Sequence, residues 1–395
     1  MKRSLAALLL FLLLLPLTYA IAEEASNAAQ SPIRFGGSGD DSIVRDTVLP
    51  LESGNLLLSI STHRGRSGQA ETKRSNTWAW LICLKPDGST LWETEFGEER
   101  GTTSFGSLTE QPGETVTGYL YYSIDQHSQY RQKQTYSLKD GSLLWQGERE
   151  SMTDPNIYVT INTAGSRYLR EETHDSQAKC EPRYYQLEET DGTVVWRVES
   201  ESIGLRLCEG ALSAPKGTLL YGCHKEAGTR GEKAKALLMD DRGEVMWSMT
   251  MDDLNDARLM FGLAAGNDRA LLAGVSRDPH ERFLILIDTK TGSELWRRQY
   301  RDEGDTIHPI SAQLETEQGF LLADVDARDH SGFIYMLVEA DGTEHKPWQV
   351  TFRDTAFVGL NLFQWNKEAW AAYNIEQDGD TDVMLERLLI PEQAP

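Results

Sequence analysis

The sequence has little cysteine and no short motif of a common enzyme class. Its four cysteines form no C-x-x-C pair, which excludes the usual zinc and thioredoxin-type sites. The G-x-S-x-G, H-E-x-x-H and P-loop patterns are also absent, so nothing indicates a serine hydrolase, a zinc protease or a P-loop enzyme. The absence of motifs favours a protein without catalytic activity, although it leaves the question open.

Basic residues are also scarce. The chain has 39 Lys and Arg against 61 Asp and Glu, which gives a net charge of −22. An acidic surface repels nucleic-acid phosphates and anionic membranes, so we expect neither as a partner. The 10 Trp and 14 Tyr supply enough apolar side chain to fill a core, which argues against a disordered chain.

Long apolar runs are confined to the start of the chain. Two basic residues precede the apolar segment Leu5–Leu17, and small residues follow up to Ala22, as in a secretory signal peptide. We therefore predict a signal peptide over 1–22, a flexible leader over 23–31 and one domain over 32–395. The mature protein is expected to be a secreted monomer that does not insert into a membrane. A retained membrane anchor is the alternative.

A glycine-tryptophan motif recurs six times at intervals of 49 to 53 residues. Each copy is an apolar run, a polar turn with glycine, and a second run that carries tryptophan near its start. The glycines are Gly88, Gly141, Gly192, Gly243, Gly292 and Gly342. The tryptophans are Trp92, Trp145, Trp196, Trp247, Trp296 and Trp348. A period near fifty with strand signals throughout predicts a β-propeller or a related repeat array.

Each unit also contains a second turn upstream of the first, such as those at Gly113 and Gly319. A unit therefore reads as four antiparallel strands, which is the composition of a propeller blade. The last unit begins near Ala356 and lacks its fourth strand, which Ile33–Phe35 can supply. We predict an all-β, seven-bladed β-propeller whose N-terminal strand completes the last blade, with six or eight blades as alternatives.

Both motif residues have a structural explanation. A tight Asp-Gly turn needs a positive φ angle, which glycine adopts without strain. Tryptophan is a large flat side chain that can wedge between adjacent blades and bury about 150–250 Å². We expect all twelve motif residues to be structural.

The segment Leu286–Trp296 resembles the tryptophan motif of the pyrroloquinoline-quinone-type (PQQ-like) β-propeller repeats. Phe35–Asp41 resembles the opening of related secreted bacterial repeat proteins. The resemblance implies the propeller fold and says little about activity. The quinone enzymes of that family use two adjacent cysteines and a calcium ion beside the cofactor, and this sequence has no adjacent cysteines. A quinone-dependent dehydrogenase is therefore disfavoured, and no cofactor is expected.

Two cysteines flank an expected hairpin turn. Cys208 and Cys223 face each other if the turn Ala214–Gly217 is centred on Pro215 and Lys216. Since export permits disulfides, we predict a bond between them. Buried free thiols are the alternative, and a shift of one residue in register would produce them.

Three carboxylates near the C-terminus are spaced as at the start of a calcium loop. They are Asp378, Asp380 and Asp382, and the glycine and distal glutamate of an EF-hand do not follow. A calcium ion is the one metal that this pattern predicts. A plain turn would also suit these residues.

Long loops of variable length join the second and third strands of the units, for example over 62–76 and 224–233. In a propeller these loops lie on one face, and rigid strands with variable loops are typical of a binding surface. We predict a non-catalytic binding or scaffold module for an extracellular glycan, peptide or cell-surface protein. The alternative is a secreted carbohydrate-active enzyme with two carboxylates at the mouth of the channel.

Overall fold

A computed structural model describes most of the chain. The described residues are 32–36, 41–43, 47–63, 77–97, 101–125, 128–152, 157–164, 166–174, 182–224, 231–266, 268–278, 280–301, 312–325, 332–351, 356–377, 380–388 and 390. Nearly all of them lie in antiparallel strands, and α1 (Ser200–Ile203) is the only helix in this part of the chain. No helix among the described residues is long and apolar enough to cross a membrane.

The short strand β1 (Ile33–Phe35) is followed by seven sequential units of strands, which we number 1 to 7. Unit 1 consists of β2 (Asp41–Ser42), β3 (Val48–Pro50), β4 (Leu56–His63), β5 (Thr77–Leu84) and β6 (Thr90–Phe96), and unit 2 consists of β7 (Thr102–Gln111), β8 (Thr115–Asp125), β9 (Ser128–Ser137) and β10 (Leu143–Ser151). Unit 3 consists of β11 (Ile157–Ala164), β12 (Arg167–His174), β13 (Pro182–Glu188) and β14 (Val194–Glu199). Unit 4 consists of β15 (Leu207–Ala214), β16 (Gly217–His224), β17 (Lys233–Met239) and β18 (Val245–Thr250). The strands of units 5 to 7 are β19 (Asn255–Ala265), β20 (Arg269–Asp278), β21 (His280–Asp288) and β22 (Glu294–Arg301) in unit 5, β23 (Ala312–Thr316), β24 (Gly319–Val325), β25 (Gly332–Val338) and β26 (Trp348–Thr351) in unit 6, and β27 (Ala356–Trp365), β28 (Glu368–Gln377) and β29 (Asp380–Arg387) in unit 7.

Hydrogen bonding divides these units as the repeat predicts. Units 3 to 6 are separate four-stranded antiparallel sheets, with the strands in chain order. Units 1 and 2 share one nine-stranded sheet, and the single parallel pair Thr77–Thr102 connects them. Unit 7 takes β1 as its fourth strand, with Ile33 opposite Leu385 and Phe35 opposite Val383. The predicted pairing of the N-terminal strand with the last unit is therefore confirmed.

Successive units pack against one another through their first strands. In chain order β3 contacts β7, and contacts continue through β11, β15, β19 and β23 to β27, which in turn contacts β3. An apolar cluster also joins unit 7 to unit 1, with Trp365 and Trp370 packed near Leu58. Further clusters of described residues join units 1 and 2, 3 and 4, 4 and 5, 5 and 6, and 6 and 7. Among the described side chains, units 2 and 3 meet through the contact of the Tyr119 and Tyr168 rings and the hydrogen bond from Lys133 to the carbonyl of Glu189.

The structure explains why glycine and tryptophan recur together. All six motif glycines have φ between +71° and +90°, as the turns require. A Cβ atom at Gly141 would lie 2.5 Å from the Trp92 ring of the preceding unit, and one at Gly292 would lie 2.6 Å from Trp247. The indole of one unit thus packs directly on the glycine turn of the next.

Hydrogen bonds strengthen the same contact. The indole N–H of Trp92 donates to the carbonyl of Leu138 at 2.7 Å, and that of Trp247 donates to Thr289 at 3.0 Å. Trp296 donates to Ala340 in the same way at 3.0 Å. These carbonyls lie two or three residues before the motif glycine of the following unit. Trp92, Trp247 and Trp296 thus pack between adjacent units, whereas Trp145 does not and is 48% exposed.

Replacing Gly141 with alanine is expected to destabilise the protein more than the same change at Gly192. Both glycines have positive φ, so both substitutions carry backbone strain of about 1–2 kcal/mol. Only the Gly141 substitution also displaces Trp92, which adds about 1–3 kcal/mol of overpacking, because nothing lies within 4 Å of a Cβ at Gly192. Urea unfolding of the two variants measures the difference. Equal losses would contradict the packing contact.

The predicted disulfide between Cys208 and Cys223 is wrong. The hairpin register is the expected one from Ala214–Gly217 up to Gly210–Tyr221, and a β-bulge at Glu209 then shifts it by one residue. Cys208 is therefore opposite Gly222, so its side chain lies on the other face of the sheet from Cys223. Both residues are buried free thiols, and burial raises the pKa of Cys223 to about 12.

Candidate functional site at the loop-bearing end of units 3 to 5

Charged side chains collect where the long loops join the strands of units 3 to 5. The inner parts of these loops, such as 175–181 and 225–230, lie outside the described residues, whereas their bases are described. Arg206 precedes β15 and Glu232 precedes β17. Because the first residue of β15 pairs with Cys223 near the end of β16, these side chains belong to the same end of unit 4.

Glu232 is clamped between two arginines. Its Oε1 atom lies 2.6 Å from Nη1 of Arg206, and its Oε2 atom lies 2.8 Å from Nη2 of Arg258. The second guanidinium nitrogen of Arg258 lies 3.7 Å from Oε1 of Glu209. Both arginine side chains and Glu209 are about a quarter exposed, whereas Glu232 is more buried. The result is a line of alternating charges that solvent reaches at its edges, which we call the Glu232 network.

The backbone under the Glu232 network is held by several hydrogen bonds. The Ala257 amide donates to the carbonyl of Glu232 at 2.9 Å, which ties the start of unit 5 to the loop base of unit 4. The Lys233 ammonium donates to the carbonyls of Asp252 and Leu254 at 2.8 and 3.0 Å. These bonds hold the base of the loop in place, which pre-organises the charged groups.

A buried carboxyl lies beside this network. Glu171 on β12 is 5% exposed, and its carboxylate accepts a hydrogen bond from the Cys208 amide. Burial, reinforced by the negative charge of Glu209, raises the pKa of Glu171 to about 8, while the Cys208 amide opposes the shift. The carboxyl is therefore largely protonated near neutral pH. The site combines a proton donor, carboxylates and two guanidinium groups, which suits it to polar ligands.

The connection between units 3 and 4 closes one side of the site. Helix α1 forms this connection, and the buried Lys235 ammonium donates to the carbonyl of Ile203 at 2.9 Å. Gly204 has φ of +60°, and a Cβ there would lie 2.9 Å from the Lys235 nitrogen. Burial lowers the pKa of Lys235. This lysine therefore fastens the helix and does not face a ligand.

The predicted calcium residues are differently placed. Asp378 lies outside the described residues, whereas Asp380 and Asp382 lie in strand β29 and not in a loop. The buried Asp382 carboxylate pairs with Arg34 on β1, whose Nε is 2.7 Å away. Among the residues that the structure describes, no three His, Cys, Asp or Glu side chains are grouped closely enough to hold a metal ion. Calcium binding stays a prediction.

The sequence did not identify the residues of the Glu232 network. Their one sequence signal is an acidic residue among the small and apolar residues of a strand, as Glu209 is in β15. That signal is weak, because a strand face directed to solvent carries acids equally well. Which of the 61 acids converge depends on how neighbouring units pack.

Comparisons with known proteins give no family assignment. No family model matches the sequence, and no curated protein matches it. The resemblance to the PQQ-like repeats therefore stays a prediction.

Several solved structures are similar in overall fold. The β-propeller domain of the Trilobed protease from Pyrococcus furiosus has a TM-score of 0.48 and 9% identity, covering 90% of this chain and 97% of that one. The quinohemoprotein alcohol dehydrogenase from Comamonas testosteroni has a TM-score of 0.44 and 9% identity, covering 93% and 79%. A europium-containing methanol dehydrogenase has a TM-score of 0.43 and 10% identity, covering 85% and 73%. Likenesses this distant do not decide a function, which has to follow from the chain's own side chains.

Proposed function

We propose that this protein is an exported, seven-bladed β-propeller that acts as a non-catalytic binding module. Seven units of antiparallel strands support the blade number. The contacts between first strands run in order from unit 1 to unit 7 and back to β3, which supports a closed ring. The pairing of β1 with β29 supplies the closure that such a ring needs.

The Glu232 network carries the proposal for the ligand surface. It lies at the loop-bearing end of the units, and the side chains of Arg206, Arg258 and Glu209 are each about a quarter exposed. Guanidinium and carboxylate groups held on a rigid base bind hydroxyl-rich or charged ligands through charge-assisted hydrogen bonds. The ligand class is accordingly an extracellular glycan, a peptide or a polar surface of another protein.

Neutralising Glu209 is expected to weaken ligand binding without unfolding the protein. Glycan and peptide arrays with the purified wild-type chain identify a ligand, and titration then compares it with Glu209→Gln. We expect a loss of at least about tenfold, because an anionic acceptor beside Arg258 is removed. The matched control is Glu93→Gln, which changes the same charge on the exposed outer strand β6. Equal binding by wild type and Glu209→Gln would refute this surface.

A second candidate function rests on Glu171. A carboxyl with a raised pKa beside a second carboxylate is the arrangement that hydrolases use for general acid and base. A carbohydrate-active enzyme would place Glu171 as the acid and Glu209 as its partner. Under this alternative, Glu171→Gln abolishes hydrolysis of a bound glycan while binding persists. If the wild-type chain does not hydrolyse the glycan, the enzyme alternative is refuted and the binding module remains the proposed function.

A further inference from the structure

The interface between units 2 and 3 departs from the tryptophan repeat. Trp145 should pack on the turn of Gly192, as Trp92 packs on Gly141. Instead Trp145 is 48% exposed, whereas Trp92 is 8% exposed. Nothing lies within 4 Å of a Cβ at Gly192, so the turn that should receive the indole is open. The Trp145 indole and the Gly192 turn therefore do not make the contact that Trp92 and Gly141 make.

A buried lysine lies beside the open turn. The Lys133 ammonium donates to the carbonyl of Glu189 at 3.3 Å. The same carbonyl accepts from the Gly192 amide at 2.9 Å, so it corresponds to Ser137 and Asp288 in the other turns and not to the indole acceptors Leu138 and Thr289. Lys133 also lies 4.8 Å from the centre of the Tyr168 ring, a cation–π contact that holds it there.

The displaced tryptophan is part of a larger apolar surface. Leu143, Leu144 and Trp145 at the start of β10 are 46%, 56% and 48% exposed. We call these three residues the Trp145 patch. Strands β10 and β18 have no buried residue, whereas the outer strands β6 and β14 each bury their tryptophan. A contiguous apolar surface of this kind marks an interaction site more often than single exposed leucines do.

The turns beside the patch carry carboxylates, and the cation Lys139 lies next to one of them. Asp140 and Asp191 lie in the turns on its two sides and are fully exposed. Hydrogen bonds from Ser142 and Thr193 lower the pKa of these two carboxyls, so both are charged at neutral pH. Arg149, a cation on the same strand, lies over the rings of Tyr122 and Tyr130. Such a rim attracts a basic partner and repels a second copy of this acidic chain.

We propose that the Trp145 patch binds another polypeptide through a glycine-containing turn that carries lysine or arginine. The precedent lies within this chain, where equivalent indoles pack on glycine turns at Gly141, Gly243, Gly292 and Gly342. An exposed indole offers a partner the same flat surface and the same N–H donor. The patch begins at the tight-turn end of unit 2, so this site is separate from the loop-bearing end that carries the proposed function.

A cyclic peptide made from the chain's own docking turn tests the proposal. The probe spans residues 285–297 with Glu294→Lys, is closed head to tail and carries a fluorescent label. Fluorescence anisotropy with the full-length chain, at low and high salt, measures its affinity. We expect saturable binding that high salt weakens and that Trp145→Ala weakens at least about tenfold. Leu295→Ala, which truncates an exposed leucine on another outer strand, should leave binding unchanged.

Three results would overturn the proposal. The first is the absence of saturable peptide binding to the wild-type chain. The second is equal affinity for wild type and Trp145→Ala, which would place the peptide elsewhere. The third is a wild-type dimer in analytical ultracentrifugation that Trp145→Ala dissociates, which would identify a second copy as the occupant. Introducing Gly292→Val in the probe separately tests the need for glycine, since we expect it to abolish binding.

Discussion

Replacing Trp92 with alanine is expected to lower the free energy of unfolding by about 3–5 kcal/mol, the usual loss for a buried aromatic side chain. The same replacement at Trp145 should change it by less than about 1 kcal/mol. Trp92 packs among the apolar residues that join units 1 and 2, against the turn of Gly141. Its removal leaves a cavity between two units and an unpaired carbonyl at Leu138. Trp145 is half exposed, so its removal leaves no cavity.

Urea denaturation followed by circular dichroism measures both losses. The two variants are matched, because each removes one motif tryptophan from an outer strand of neighbouring units. A large decrease in the free energy of unfolding for Trp92→Ala, with a small decrease for Trp145→Ala, would support the indole–glycine contact as a main source of stability between units. Similar losses in both variants would show that Trp145 is buried in solution, and would remove the basis for the Trp145 patch.

Changing Glu171 to glutamine is expected to flatten the dependence of stability on pH. The folded state raises the pKa of this carboxyl from 4.5 to about 8. Between these values the folded protein keeps a proton that the unfolded chain releases, so stability is full below about pH 4.5 and falls as pH rises through about 8. The loss is of the order of 3–5 kcal/mol when summed over that range. Glutamine cannot ionise, and its carbonyl still accepts from the Cys208 amide.

Urea unfolding of wild type and Glu171→Gln at several pH values between about 5 and 9 measures this effect. The variant should become the more stable protein on the alkaline side, whereas Glu93→Gln should follow the wild-type curve. If the free energy of unfolding depends on pH in the same way for wild type and Glu171→Gln, Glu171 is solvated in solution. Such a result would also remove the proton donor from the second candidate function while leaving the Glu232 network intact.

Several features of the fold could be read from the sequence because they depend on local geometry. A turn of positive φ needs glycine at one position, so the motif glycines alone are enough to locate the hairpins along the chain. The missing fourth strand of the last unit predicted the pairing of β1 with unit 7, which is observed. The period of the repeat gave the boundaries of the units, because each unit needs the same length of chain.

The candidate site could not be read in this way, since it depends on contacts between units. A one-residue bulge at Glu209 turned Cys208 away from Cys223 and brought the Cys208 amide to Glu171. No local pattern distinguishes that position from a regular strand. Similarly, the motif around Trp145 matches the others, and only the packed structure shows that its indole is half exposed.

The sequence by itself determined the strand units, their turns and the strand that completes the last unit, because short-range backbone geometry and a fixed repeat length specify them. The tertiary structure alone decided which charges meet at the loop-bearing end and which tryptophan stays exposed. Those outcomes depend on strand register and on how each side chain packs against the neighbouring unit. Both are settled only when the units pack together, as the different exposure of Trp92 and Trp145 shows.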